Sequence, residues 1–203
     1  SETSVLSTGN TPPPSSTLIP TPTSNSTMML FDFENCSSST GWYWDTTLGV
    51  MGDLLTCSDE QVAQGSAALR IAAPFAGNGG DEAVGAYSLI PGDHNITADW
   101  SGFSTLVFEV AAPNDLPLTC RVQPFLKYRQ AGGLVFANDV GHEMNAGEWT
   151  TIRANLRDFI DATGATVTIN LTSIETVGLK FYCRPSETSF TGLFYIDNIR
   201  VEG

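Results

Sequence analysis

The feature of this sequence that most limits its possible folds is a series of short β-type segments that runs from residue 28 to the end of the chain. Each segment is rich in β-branched and aromatic residues, and Gly, Pro, Asn or Asp separates it from the next. The segments lie at 28–34, 66–73, 83–90, 104–112, 120–128, 133–139, 148–156, 175–183 and 192–201. Because no helical pattern alternates with them, the sequence predicts an all-β fold, an antiparallel β-sandwich of the jelly-roll type. One short helical turn is expected, at 156–160.

Size and charge narrow the class of partner. The chain has 203 residues and a net charge of −13, and its 11 Phe, 4 Trp and 5 Tyr can fill a core. A strongly acidic chain lacks the basic footprint that nucleic acids and anionic membranes require. No apolar run is long enough to span a bilayer. We therefore expect a monomer that binds a neutral ligand or calcium, with no nucleic-acid or membrane partner.

The N-terminal segment 1–27 differs in composition from the rest of the chain. It consists mainly of Ser, Thr and Pro, and Glu2 is its only charged residue. Such a segment cannot bury a core and favours extended conformations, so it is typical of a spacer between modules. The alternative is a disordered terminus without a function. We predict a linker at 1–27 and one folded module at 28–203, both part of a larger secreted protein.

The four cysteines, Cys36, Cys57, Cys120 and Cys183, show no C-x-x-C spacing, which disfavours zinc and redox motifs. Two disulfides in an exported protein are the simpler interpretation, and three pairings are possible. Strand alternation places Cys120 and Cys183 on the apolar faces of their segments. That alternation favours the pair Cys120–Cys183, with Cys36–Cys57 as the other.

A disulfide between Cys120 and Cys183 would make the two segments antiparallel neighbours. Arg121 would then lie opposite Tyr182, Gln123 opposite Lys180, and Phe125 opposite Gly178. The outward face would collect Arg121, Gln123, Phe125, Lys127, Arg129, Lys180, Tyr182 and Arg184. A solvated face is one interpretation of this set. A binding face is the other, and an outward Phe125 favours it because an exposed ring needs a covering partner.

A second concentration of rings lies in "GWYWD", at residues 41–45. Exposing two tryptophans in one loop is costly, so we interpret Trp42 as a core residue and Trp44 as a platform for a ligand. Trp100 and Trp149, in "DWSGF" and "GEWTT", are expected to be structural residues with packing roles.

Four stretches together resemble a known group of proteins: "DWSGFSTLVFEVAAPNDLP", "VQPFLKY", "GEWTTIRANL" and "TGLFYIDNIRV". In this order they are similar to the calcium-binding β-jelly-roll carbohydrate-binding modules of secreted plant-cell-wall hydrolases. The match is best to the family 27 and family 11 kind, which accompany β-mannanases and glucanases. The resemblance implies a non-catalytic module that binds polysaccharide and keeps an attached glycoside hydrolase near its substrate. It also implies Phe136 as a binding ring.

The glycan expected first is mannan or glucomannan, and the second is mixed-linkage β-glucan or xyloglucan. The basic residues of the outward face leave an acidic glycan open as a different ligand class.

The last segment, "YIDNIRV", contains Asp197 and Asn198, which are poor strand residues. Either a bulge interrupts the strand there, or the carboxylate has a partner. The resemblance implies a structural Ca²⁺ held by Asp197 and Glu34, with Asp32 as a third ligand and a carbonyl of Gly65 or Ser66. Calcium accepts this mixture of carboxylate and carbonyl oxygens. A salt bridge or a solvated turn is the alternative.

An enzyme, either a hydrolase or a lyase, and an adhesion module are the two other classes of function open to this fold. A jelly-roll hydrolase needs a pair of carboxylates, but Glu109 has only Glu143, Glu148 and Glu175 as partners, near strand ends or loops. A lyase would need a group such as Tyr182 with Arg121 and Lys180. An adhesion module on the same fold is the third possibility. The sequence favours a binding module and not an enzyme.

Overall fold

Two antiparallel β-sheets pack face to face in the computed structural model, which describes residues 26–34, 41–45, 55–77, 82–90, 96–117, 120–183 and 189–203. The strands are β1 (Thr27–Phe31), β2 (Trp42–Trp44), β3 (Thr56–Ser58), β4 (Ala68–Phe75), β5 (Glu82–Leu89), β6 (Thr105–Ala111), β7 (Arg121–Gln130), β8 (Gly133–Asn138), β9 (His142–Glu143), β10 (Trp149–Asn155), β11 (Ile174–Cys183) and β12 (Phe190–Glu202). The described residues form no helix, so none of them belongs to a helix that could cross a membrane.

The order of the strands makes this fold a jelly-roll sandwich. Sheet A has the order β10-β6-β12-β4-β3, and β1 pairs with β12. Sheet B has the order β2-β5-β11-β7-β8, and β9 pairs with β7. Every strand pair is antiparallel, and most neighbours in a sheet are distant in sequence. The predicted fold class is therefore confirmed.

One continuous core joins the inner faces of the two sheets. The Phe181 ring of β11 stacks on the Phe194 ring of β12 with centroids 4.1 Å apart, which connects sheet B to sheet A. Trp100 and Trp42 are buried in the same core, as predicted. Burial of a large apolar side chain contributes about 2 kcal/mol, so these rings account for a substantial part of the stability.

The Cys120–Cys183 disulfide is present, with the two Cα atoms 4.0 Å apart. The register of β7 against β11 is the one that strand alternation predicts, since Arg121 lies opposite Tyr182 and Gln123 opposite Lys180. Cys36 and Arg184 lie outside the described residues, as does the segment 1–25, so the predictions made for them are not described by this structure.

All nine predicted segments form strands, and their ends shift by at most three residues. The prediction missed β2, β3 and β9, which have three, three and two residues and are too short to show a periodic pattern. The helical turn expected at 156–160 is wrong. There the chain makes a turn, closed by the Asp158 N–H donating to the Asn155 carbonyl over 3.0 Å.

A β-bulge explains why Asp197 and Asn198 occur inside the last strand. The register of β12 against β6 shifts between Asp197 and Arg200, and Asn198 has a φ of 53°. Asn tolerates this left-handed conformation better than most residues. The bulge turns the Asp197 carboxylate toward the loop 59–66, which crosses the outer side of sheet A.

A second interruption lies at Pro124, in the middle of β7. Proline has no N–H to donate, so it is tolerated within a sheet only where the ladder is interrupted. The ladder is interrupted here, because β8 pairs with residues 125–130 and β9 pairs with residues 121–122. The Pro124 carbonyl accepts the N–H of Asp139, which lies in the loop between β8 and β9.

Candidate functional site

The outward side chains of sheet B form the first candidate site, which we call the aromatic face. It comprises Tyr43, Tyr87, Arg121, Gln123, Phe125, Lys127, Phe136, Lys180 and Tyr182. Adjacent strands bring these residues into rows because side chains at paired positions share one face. Seven of the nine residues predicted for ligand binding lie on this face. Arg129 continues it along β7, whereas Trp44 lies elsewhere.

Phe125 faces outward as predicted, but it is not exposed. Its relative exposure is 0%, because the Phe136 ring covers it at a centroid distance of 5.4 Å. On its other side the ring lies directly against Gly178, where any Cβ would overlap it. Phe125 is therefore the floor of the aromatic face, and the expectation that its ring is exposed is wrong.

The exposed ring from "GWYWD" is Tyr43 and not Trp44. Trp42 and Trp44 share one side of β2, where Trp44 packs against the core, and Tyr43 projects to the opposite side. Tyr43 is 43% exposed, and its ring lies 5.8 Å from that of Tyr87. Strict alternation along three residues could have identified Tyr43, because a core position for Trp42 also places Trp44 inward.

Lys180 is the polar centre of the aromatic face. Its Nζ donates to Gln123 Oε1 over 3.4 Å and to Asn138 Oδ1 over 3.2 Å, and it lies 4.7 Å from the Phe136 ring centroid. Burial lowers the pKa of Lys180, and the negative charge of Asp45 partly opposes this effect. Nothing in the sequence pattern indicates these two neighbours, Asn138 on β8 and Asp45 just after β2.

A pocket of about 240 Å³ opens at one end of the aromatic face, and Arg121, Gln123, Gly141 and Tyr182 line it. The neighbouring cations have acidic partners. Arg121 lies 3.5 Å from Glu143, and Arg129 lies 2.6 Å from Glu175. Lys127 Nζ lies 5.2 Å from the centroid of the Tyr87 ring. Arg121 and Arg129 thus have carboxylate partners in the folded chain, whereas the ammonium groups of Lys127 and Lys180 lie near aromatic rings.

The second candidate site is a small pocket above the outer side of sheet A, which we call the acidic pocket. It has a volume of about 160 Å³ and is lined by Met29, Asp32, Glu34, Gln64, Gly65, Asp197 and Asn198. All four residues predicted for calcium therefore meet here. The pocket lies between the first strand, the loop 59–66 and the last strand.

Main-chain N–H groups hold both carboxylates of the acidic pocket. Asp197 is 1% exposed and accepts the N–H groups of Ala63 and Gln64 over 3.1 and 3.0 Å. Glu34 accepts the hydroxyl of Ser66 over 2.7 Å and its N–H over 2.9 Å.

The two carboxyl groups differ in their proton affinity. Burial raises the pKa of Asp197, and the nearby Glu34 carboxylate adds to that rise. The hydroxyl and N–H of Ser66 lower the pKa of Glu34.

The donor set of the acidic pocket suits a hard cation, although it is not a cluster of side-chain ligands. No group of three or more His, Cys, Asp or Glu side chains arranged to hold a metal occurs within the described part of the chain. The pocket offers two close carboxylates, and its lining residues include no cation. Gly65 has a φ of 80°, and a Cβ there would overlap the Glu34 carboxylate. Calcium accepts carboxylates together with main-chain carbonyls, so the residues fit such an ion.

No protein-family profile matches this chain. No curated protein matches it either.

Solved structures, by contrast, are similar to this fold. A carbohydrate-binding module of the β-sandwich superfamily matches with a TM-score of 0.57 and 16% identity, over 84% of this chain and 60% of that one. The Clostridium thermocellum family 11 module in complex with a β-1,3-1,4-mixed-linked tetrasaccharide has a TM-score of 0.55 and 15% identity, over 86% and 94% of the chains. Caldicellulosiruptor saccharolyticus CBM27-1 in complex with mannohexaose has a TM-score of 0.55 and 18% identity, over 88% and 97%. The likeness shows that the chain has the sandwich fold of these modules.

Proposed function

We propose that this chain is a non-catalytic carbohydrate-binding module and that the aromatic face binds a polysaccharide chain. The observation that supports this most directly is the outward pair Tyr43 and Tyr87 beside the polar group around Lys180. The apolar C–H face of a sugar ring packs on aromatic rings, and its hydroxyls pair with amide, ammonium and guanidinium groups. The face offers both kinds of contact on one surface.

The aromatic face is long enough to hold more than one sugar ring. Tyr182 lies opposite Ala83 on β5, and Tyr87 follows four residues later. At a rise of about 3.3 Å per residue, the two tyrosines are about 13 Å apart along the strands. We infer that the ligand is an internal stretch of a glycan chain.

The proposed ligand is a neutral β-linked glycan. The arginines at the edges of the face already have carboxylate partners, Glu143 and Glu175, so a uronic acid would have to displace them. Mannan or glucomannan is the first choice, and mixed-linkage β-glucan or xyloglucan the second. The bound oligosaccharides of two structural neighbours belong to these classes.

We further propose that the chain is a secreted monomer joined through residues 1–27 to a glycoside hydrolase. The Cys120–Cys183 disulfide supports an oxidising compartment. The Ser/Thr/Pro composition of residues 1–27 supports the role of a spacer between two modules.

Calcium is the proposed cofactor, and the acidic pocket is its proposed site. Asp197 and Glu34 would be carboxylate ligands, Asp32 a third ligand, and Gly65 would contribute its carbonyl. A bound Ca²⁺ would neutralise two close carboxylates and join the first strand, the loop 59–66 and the last strand. Its role there would be structural.

Affinity electrophoresis tests the proposed function. The protein would be run in gels with glucomannan, galactomannan, barley β-glucan, xyloglucan or pectin, beside the variants Tyr43→Ala and Trp149→Ala. Trp149 is the matched control, because its ring is partly buried on the outer side of the opposite sheet. We expect a neutral glycan to retard the migration of the unsubstituted protein and of the Trp149→Ala variant. The Tyr43→Ala variant should migrate without retardation. Retardation by pectin alone would overturn the neutral ligand class, and no retardation in any gel would overturn carbohydrate binding.

A further inference from the structure

One residue, Asp139, holds the loop between β8 and β9 with all of its polar groups. Its N–H donates to the Pro124 carbonyl over 2.9 Å, and its own carbonyl accepts Nε2–H of Gln123 over 2.7 Å. Its carboxylate accepts the Val140 N–H over 2.8 Å and the Nε2–H of His142 over 2.5 Å. Asp139 is only 2% exposed. A buried carboxylate is costly unless it is fully hydrogen-bonded, and here it is, so this loop has one defined conformation.

The loop forms one wall of the pocket at the end of the aromatic face. Gly141 lines that pocket, and a Cβ added to it would come within 3.3 Å of Arg121 Cβ and Cδ. The loop therefore packs directly on the stem of Arg121. Through the bond between Gln123 and the Asp139 carbonyl it also fixes the side chain that accepts a hydrogen bond from Lys180.

The loop also carries an exposed apolar side chain, on the residue that precedes Gly141 of the pocket lining. Val140 is 56% exposed, the largest value among the large hydrophobic residues of the described chain. It lies between Asp139, which is buried, and Gly141, which lines the pocket. A single exposed Val has little meaning by itself. Its place on a rigid loop beside a pocket of polar side chains is what distinguishes it.

We propose that residues 139–142 are a preformed wall of the glycan-binding face, with Val140 as a contact for the sugar and Asp139 and His142 as positioning residues. This inference rests on the proposed function. Val140 adds apolar area at the edge of the pocket, where Arg121 and Gln123 supply hydrogen-bond donors. Asp139 and His142 act through the loop by keeping Val140, Gly141 and Gln123 in place before the glycan arrives. A preformed site avoids the entropic cost of ordering a loop on binding.

The test is calorimetric titration of mannohexaose and of the β-1,3-1,4-mixed-linked tetrasaccharide into the protein and four variants. Val140→Ser is expected to weaken binding about fivefold without changing the melting temperature, because the side chain is exposed in the free protein. His142→Ala is expected to weaken binding and His142→Gln to restore part of it, since an amide can donate to Asp139. Tyr43→Ala serves as the control for the proposed function.

NMR of the Gln123 side-chain amide adds a readout that does not require a ligand. Its signals are expected to shift in His142→Ala, where the wall loses its hydrogen bond to Asp139, and to stay unchanged in Val140→Ser. Normal affinity in both Val140→Ser and His142→Ala, together with weak binding by Tyr43→Ala, would show that residues 139–142 are not part of the binding face. The proposed function would then still hold. Absence of binding by the unsubstituted protein to both oligosaccharides and to all the gel polysaccharides would overturn the proposed function, and this inference with it.

Discussion

The acidic pocket and the aromatic face both gather charged groups, but those groups have different kinds of partner in the two regions. In the acidic pocket, Asp197 and Glu34 have main-chain N–H groups as partners and no cation among the lining residues. On the aromatic face, Arg121 and Arg129 have carboxylate partners and Lys180 has two amide oxygens. The first arrangement retains negative charge, which suits a cation, and the second suits a neutral ligand.

The two regions also differ in what a substitution should change. The acidic pocket ties together elements at both ends of the described chain, so its residues should affect stability. The aromatic face has a buried floor, Phe125, beneath exposed contacts such as Tyr43. Its floor should affect stability and its exposed rings should affect affinity.

Replacing Phe125 with Ala should produce the largest effect. Removal of a fully buried ring leaves a cavity over Gly178, and we expect a loss of about 3 kcal/mol in the free energy of unfolding. Urea unfolding measures this loss, and Phe136→Ala is the control, with a smaller loss because that ring is partly exposed. If Phe125→Ala lost affinity but kept its stability, Phe125 would be a direct contact for the ligand and not the floor.

Replacing Asp197 with Ala should produce the next largest effect on stability. The change leaves the N–H groups of Ala63 and Gln64 without their acceptor, which costs about 2 kcal/mol. Calcium should stabilise the unsubstituted protein by about 2.7 kcal/mol at a hundredfold excess over its dissociation constant, and should not stabilise the variant. Thermal unfolding with Ca²⁺ and with a chelator measures both effects.

Asp32→Ala is the control for stability without calcium, because Asp32 is exposed and accepts only the Glu34 N–H in the described structure. Since Asp32 is a proposed ligand, its loss should weaken the calcium effect while leaving the calcium-free stability nearly unchanged. If the melting temperature of the unsubstituted protein is the same with Ca²⁺ and with a chelator, a metal role for the acidic pocket is contradicted. The network of hydrogen bonds to main-chain N–H groups would then be its whole function.

The alternation of side chains along the strands could predict the strand register of the aromatic face, but not the composition of the acidic pocket. Strands β7 and β11 are ten residues long and alternate clearly, so their register and the Cys120–Cys183 bond followed from parity. The members of the acidic pocket were expected from a resemblance, and the structure brings them together.

Burial across several strands could not be predicted in this way. The covering of Phe125 depends on Gly178 from one neighbouring strand and Phe136 from the other. The position of Tyr43 depends on a strand of three residues, and Asp139 lies in a loop held by a hydrogen bond to the Pro124 carbonyl of another strand. These features arise from packing between segments, which a single strand pattern does not contain.

Replacing Gly178 with Ala should have an intermediate effect and should depend on Phe125. The added methyl group overlaps the Phe125 ring, so the ring has to move, at a cost of about 1.5 kcal/mol. In the Phe125→Ala background this cost should vanish, and a double-mutant cycle from urea unfolding measures the difference. Equal costs in both backgrounds would mean that the ring does not lie over Gly178.

Lys180→Met should change stability least, by less than about 1 kcal/mol near neutral pH. The variant removes a partly buried charge, and it also takes a donor from Gln123 and Asn138, so the two effects oppose each other. Burial lowers the pKa of Lys180 below its usual value of 10.5.

The lowered pKa of Lys180 determines how the stability difference between the unsubstituted protein and Lys180→Met changes with pH. In the alkaline range just below 10.5 the unfolded chain keeps a proton that the folded chain has released, so the unsubstituted protein should gain stability over Lys180→Met as the pH rises through this range.

The affinity for glycan should change more than the stability, because Lys180 lies at the polar centre of the aromatic face. Loss of one donor to a sugar hydroxyl should weaken glycan binding about tenfold at neutral pH. Unfolding and titration of the same variant therefore separate the two roles, and an unchanged affinity would place the ligand away from Lys180.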